Sequence, residues 1–187
     1  MPNTIQSSPV AEDAREIDYS MPLDENGDVL MRDRIPVRSL AESDLPALIA
    51  IDRRVTGRDR TPYYQAKVRE ALFESGIRVS LIAEADDHPV GFIMARVDFG
   101  EFGRTEPEAV IDTVGVDPRY GHHGVGVALM SQLLANLATL RVERVRTQID
   151  WNDLPLLAFL DRCGFRPSQR IAFVRPIPAG PERPAGR

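Results

Sequence analysis

The segment Val114-Gly-Val-Asp-Pro-Arg-Tyr-Gly-His-His-Gly-Val-Gly-Val-Ala-Leu129 constrains this chain more than any other stretch. A β-branched run stops at Asp117-Pro118, a turn with glycine at 121, 124 and 126 follows, and an amphipathic helix begins at once. Leu129, Leu133 and Leu137 recur along that helix every four residues. Glycine lets backbone approach a ligand without a Cβ in the way. The N–H groups that open the helix, together with its dipole, suit phosphate oxygens. Two other phosphate loops do not fit. A Walker loop requires Gly-Lys-Ser/Thr, whereas Gly126 is followed by Val127-Ala128. The dinucleotide fingerprint Gly-x-Gly-x-x-Gly differs from the spacing Gly121-x-x-Gly124-x-Gly126.

Around this segment the chain alternates short strands and helices. Residues 35–40 read as a strand. Ser43-Asp44 can cap a helix whose apolar face is Leu45, Leu48, Ile49 and Ile51. Thr61-Pro62 starts a second helix that carries Val68, Ala71, Leu72 and Phe73 and ends near Gly76. Residues 78–85 and 90–97, joined by an Asp/His/Pro turn, read as an antiparallel hairpin. A loop with Gly100, Gly103 and Pro107 leads to a strand over 109–116. Beyond the glycine turn and its helix come a strand over 144–149, a helix over 153–163 and a final strand over 171–175. The order β-α-α-β-β-β-α-β-α-β predicts an α+β fold around one central sheet. Residues 1–32 are expected to be a flexible leader, 33–177 the folded domain and 178–187 a flexible tail.

Composition narrows the function classes. A chain of 187 residues has room for one sizeable core. A net charge of -5 argues against wholesale nucleic-acid binding, which needs dense positive charge. The crowded Arg53, Arg54, Arg58 and Arg60 read as a solvated face. No apolar run approaches the ~20 residues of a membrane span, and Glu12, Asp13, Glu16 and Asp18 are unlike a signal peptide. Cys163 is the only cysteine, so neither a disulfide nor a thiolate cage is available within the chain. These features predict a cytoplasmic protein with no nucleic-acid or membrane partner and no metal.

The glycine turn resembles that of the GNAT superfamily of acyl-CoA-dependent N-acyltransferases. The family's loop reads Arg/Gln-x-x-Gly-x-Gly/Ala after an apolar strand with a Val-x-Pro-like end. Val116-Asp117-Pro118 and Gly124-Val125-Gly126 match it, and Gly121 stands in the place of the Arg or Gln. The second half follows the family layout too: a strand at 146–149, Asn152/Asp153 opening a helix, Phe159 within it and Gly164-Phe165 at its end. The resemblance runs from Arg34 to about Arg175. It implies a mixed, mostly antiparallel sheet flanked by helices, with one splayed pair of parallel strands.

The resemblance further implies acetyl-CoA as donor. Backbone groups of Val114 and Val116 are expected to bind pantetheine, and the turn from Gly121 through His122, His123, Gly124, Val125, Gly126 and Val127 to hold the pyrophosphate. Asp153 is expected at the cofactor as well. A primary amine of a small molecule or protein would attack the acyl carbonyl directly, helped by fixed amide dipoles. A base must accept the amine's proton. Counting in twos from Val116 and Val114 puts Asp112 on their face, which makes it the candidate base. The family's usual general acid is a Tyr at the position of Leu160, so the CoA thiolate would take its proton from water or another side chain, with Tyr120, Tyr63 and Tyr64 as substitutes, or go unassisted; Cys163 reads as a small core residue. Asp98, Glu101, Arg104, Glu106 and Glu108 are expected to frame the acceptor, an acidic rim that would suit a cation. Two readings remain open: an active N-acetyltransferase, or a catalytically silent acyl-CoA-binding sensor or regulatory module. Homodimerisation through the C-terminal strands is compatible with either.

Overall fold

Residues 35–99, 106–170 and 172–175 are described in the computed structural model. The expected leader, the tail, and the loop positions Gly100, Glu101, Gly103 and Arg104 lie outside the described residues. Five strands form one sheet: β1 (Val37–Ser39), β2 (Leu81–Ala85), β3 (His88–Phe99), β4 (Pro107–Val116) and β5 (Arg144–Arg146). They lie in chain order, and every neighbouring pair is antiparallel except β4 and β5, which are parallel. The parallel pair requires a crossover, and the helix after the glycine turn provides it.

Alternation along β3 divides the core in two. Phe92 and Met94 point to one face and pack with Ile82 beneath α1 (Leu45–Thr56) and α2 (Thr61–Arg69). The α-helical part of α2 runs into a π-helical turn at Glu70–Glu74. Leu48, Ile51, Tyr64 and Val68 complete this layer, with the Tyr64 ring edge-on to Phe92 at 5.7 Å. Ile93 and Ala95 point the other way, to α3 (Val125–Thr139) and α4 (Leu154–Arg162). There the leucines at 129, 133 and 137 are buried as their spacing predicts. Each such leucine contributes about 1.5–3 kcal/mol relative to exposure.

Three sequence expectations need correction. First, β4 carries a bulge: Met94 pairs with Thr113 and Ala95 with Ile111, so Asp112 is an extra residue. Ala109, Ile111, Val114 and Val116 consequently share the α3 face, and Asp112 turns to the α2 face. Counting in twos fails there. Second, Asp44 does not cap α1 with its side chain. Its carboxylate instead takes the Arg38 fork at 2.7 and 2.8 Å and the Ala41 N–H at 2.8 Å. Third, residues 172–175 form no strand, and Phe173 and Val174 are exposed. No described helix is long and apolar enough to cross a membrane.

Candidate functional site

The site begins where β4 loses its parallel neighbour. The β4–β5 ladder ends at Val110 and Arg146, and the Thr147 hydroxyl donates to the next carbonyl, Ile111, at 3.0 Å. From Val114 to Val116, β4 is paired with β3 but has passed the end of the β5 ladder. This opens a wedge beside backbone that can bond an extended ligand. Val114 and Val116 turn their side chains into the α3 layer, so only their peptide groups are available to the wedge.

At the top of the wedge the chain turns through Pro118–Tyr120 and residues 121–124 into α3. Gly124 caps α3 at φ 80°, a left-handed conformation in which a Cβ is strained. The first helical bond runs from the Ala128 N–H to the Gly124 carbonyl, 2.9 Å. The N–H groups of Val125, Gly126 and Val127 therefore precede the ladder, in the arrangement that receives anions. Gly126 serves packing as well: a Cβ there would lie 3.2 Å from the Phe159 ring. Gly121 has φ -57° and needs no left-handed conformation, whereas the neighbouring His122 adopts φ 62°. His123 places Nδ1 2.7 Å from the Gly121 carbonyl, which calls for a proton on that nitrogen. Both imidazoles are exposed at the turn.

Sequence reading missed the carboxylate that anchors this turn. The Asp117 side chain is 1% exposed and accepts from Arg119 at its N–H (3.1 Å), Nε (3.1 Å) and Nη2 (2.8 Å), and from Arg54 Nη1 (2.6 Å). The Arg119 bonds, aided by Arg54, outweigh burial and hold its pKa down at about 2. Arg54 lies on α1, so the layer of α1 and α2 is tied to the start of the turn. The stretch is exposed, as expected of a solvated face, but two more of its arginines are ion-paired. Arg53 pairs with Asp59, and Arg60 pairs with buried Asp52, its Nε 2.9 Å from Oδ2. Asp52 also accepts the Tyr64 hydroxyl at 2.9 Å. Burial raises the Tyr64 pKa to about 12, and its phenol meets the Thr113 hydroxyl. A signal was present in part: Arg53 and Arg60 have acids close in sequence, at Asp59 and Asp52, but Asp117 is 63 residues from Arg54.

Asp112 lies at the bulge, just below the wedge. Its carboxylate binds Arg96 from β3 and the Lys67 ammonium from α2, the latter at 3.0 Å. Lys67 also reaches Glu70 at 2.8 Å. Burial alone would lower the Lys67 pKa, but Glu70 and Asp112 raise it, so this corner stabilises an ammonium. The ion pairs continue across the sheet face: Arg96 to Asp98, Asp98 to Arg146, and Glu108 to Arg144, Arg146 and Arg170. A small cavity lined by Lys67, Glu70, Ser80, Met94, Arg96 and Asp112 opens among them.

The remaining candidates separate. Asp153 caps α4, accepting the Leu156 N–H at 3.2 Å, and is exposed. Leu160 is buried in the α3 layer, Tyr120 packs partly against that layer beside His123, and Cys163 is half-buried there. Tyr64 is sequestered between sheet and helices. The turn and wedge are thus brought together, Asp112 sits on the opposite face of β4 from Val114 and Val116, and Asp153 acts on its own helix.

Residues 45–165 match the sequence model of the Acetyltransferase (GNAT) family. No curated protein matches the chain by sequence. Several solved structures share its fold. The aminoglycoside N-acetyltransferase AAC(6')-Iy in complex with CoA superposes with a TM-score of 0.64 at 17% identity, over 76% of this chain and 94% of that one. A transcriptional regulator from Bacillus halodurans C-125 gives 0.63 at 16%, over 75% and 99%. The ribosomal-protein-S18-alanine N-acetyltransferase from Escherichia coli gives 0.60 at 20%, over 72% and 79%.

Proposed function

The chain belongs to the GNAT family of acetyltransferases, and from that premise we propose that it transfers an acetyl group from acetyl-CoA to a primary amine of a small molecule or protein. One observation carries the reading: the opened β4–β5 pair runs directly into a helix N-terminus introduced by left-handed Gly124. A ligand with an extended arm and a diphosphate needs both features in that order. The residues present fit such a donor. Peptide groups of Val114 and Val116 would hold the arm, and N–H groups from His122 through Val127 the diphosphate, with Gly121 contributing backbone only. Bound there, acetyl-CoA supplies an acyl group already activated as a thioester. The exposed Asp153 would meet the donor only at the rim of the wedge. A cytoplasmic setting, supported by the single cysteine, completes the proposal.

In this reading Asp112 receives the amine's proton, which requires Lys67 to release the carboxylate as the acceptor arrives. The Lys67 corner already holds an ammonium between Asp112 and Glu70, and that supports a cationic acceptor. Asp112→Asn should lower the turnover rate about 100-fold, the scale of general-base catalysis. Full activity of that variant across pH would discard the role. A second reading, a silent acyl-CoA-binding module, is favoured by the two cations on Asp112 and by Leu160 at the position of the family's acid. Thiol release from acetyl-CoA across an amine panel decides: amine-dependent release is expected, and tight CoA binding without release from any amine would favour the module.

A further inference from the structure

Two guanidinium groups share one buried carboxylate at the entrance to the cradle. Each Asp117 oxygen accepts twice: Oδ1 from the Arg119 N–H and Nε, Oδ2 from Arg119 Nη2 and Arg54 Nη1. The root of this arrangement is fixed, because the Asp117 N–H bonds to the Val90 carbonyl and its own carbonyl accepts the Tyr120 N–H, both at 2.8 Å. Asp117 is shut off from solvent, yet the Arg119 side chain is 67% exposed and that of Arg54 46%. One carboxylate cannot neutralise two guanidinium ions, so a positive charge remains, and Asp117 takes only the Nε/Nη2 edge of Arg119, an exposed guanidinium whose orientation is thereby set. A guanidinium oriented in this way suits phosphate oxygens with its remaining N–H groups. The charge stands two residues before Gly121, the position without a side chain.

We infer that Arg119, with Arg54 freeing its charge by neutralising Asp117, supplies the cationic contact to the CoA diphosphate that Gly121 cannot make. The inference rests on the acyl-CoA reading proposed above. It assigns Arg119 to the ligand and makes Arg54 a positioning residue that acts through Asp117. Without Arg54, Asp117 would cancel Arg119. Removing both Arg54 and the Asp117 charge would restore the positive balance.

The test is calorimetric titration of CoA into the full chain and three variants at low and high salt, with melting curves alongside. Arg119→Gln should weaken CoA binding about tenfold, as expected for a charged hydrogen bond, and flatten its salt dependence. Arg54→Met should weaken it several-fold, and Arg54→Met with Asp117→Asn should recover most of that loss. The recovery is a readout that a purely structural role would not produce. CoA binding by Arg119→Gln within twofold of the unaltered chain, with the same salt dependence, would overturn the inference alone. A double variant no better than Arg54→Met would overturn the role of Arg54. An unaltered chain that binds no CoA would overturn the acyl-CoA reading and this inference together.

Discussion

The C-terminal end of β4 and its bulge, a few residues apart, are built in opposite ways. The cradle at Gly124–Val127 is backbone: unpaired helical N–H groups, a left-handed glycine and an opened strand edge, with surplus positive charge nearby. The bulge at Asp112 is side chain: the ion pairs around Lys67, Arg96, Asp98, Glu108 and Arg146 link every described acid there to a cation. A backbone cradle presents fixed dipoles whatever the neighbouring sequence, so it suits one constant ligand. A compensated ion-pair face must exchange partners to admit a ligand, so its selectivity lies in what can displace what.

The largest effect expected from breaking this contrast is at Asp117. Asp117→Leu strips the anchor from the turn before α3 and leaves two guanidinium groups without their carboxylate. It should cost about 2–3 kcal/mol in chemical unfolding, between the losses for buried and for exposed pairs because both arginines reach solvent. The pH dependence has a defined sign. A carboxylate held down at about 2 from 3.8 contributes stability above pH 3.8 and loses it as pH falls through 2. The gap between the two proteins should therefore narrow over that window. A gap independent of pH would remove Asp117 from the account.

Gly124→Val comes next. A β-branched residue at φ 80° should cost about 1–2 kcal/mol in melting experiments. It should also weaken CoA more than it weakens the fold, because the first N–H groups of α3 are displaced. Unchanged CoA affinity would place the diphosphate elsewhere.

The contrast also explains what could be read from the sequence. Gly124 and the Val116-Asp117-Pro118 step announced the end of β4 and the turn into α3 because backbone conformation is dictated locally. The leucine period of α3 and the hairpin of β2 and β3 were legible for the same reason. Asp112 was assigned to the wrong face because one extra residue at the bulge reverses the alternation, and nothing in Val110-Ile-Asp-Thr-Val114 marks it. The anchoring bond of Arg54, near the C-terminal end of α1, was hidden because its partner Asp117 is 63 residues away. Residues 171–175 read as a strand, but β-branched and aromatic content cannot show whether a sheet edge is there to receive them, and 172–175 form none.

The smallest effect is on the ion-pair face around Asp112. Lys67→Met should change stability by no more than about 0.5 kcal/mol, since Arg96 still holds Asp112 and the lysine is partly exposed. If Lys67 keeps the place of the acceptor ammonium, the same variant should lower KM for small alkylamines and leave CoA affinity unchanged. A rise in that KM would show that Lys67 assists the acceptor instead.

Hydrogen exchange with and without CoA tests the central claim most directly. The account predicts slowed exchange at the amides of 122–127 and 114–116, with the ion-pair face around Asp112 unchanged. Slowing confined to other segments, or none at saturating CoA, would contradict it.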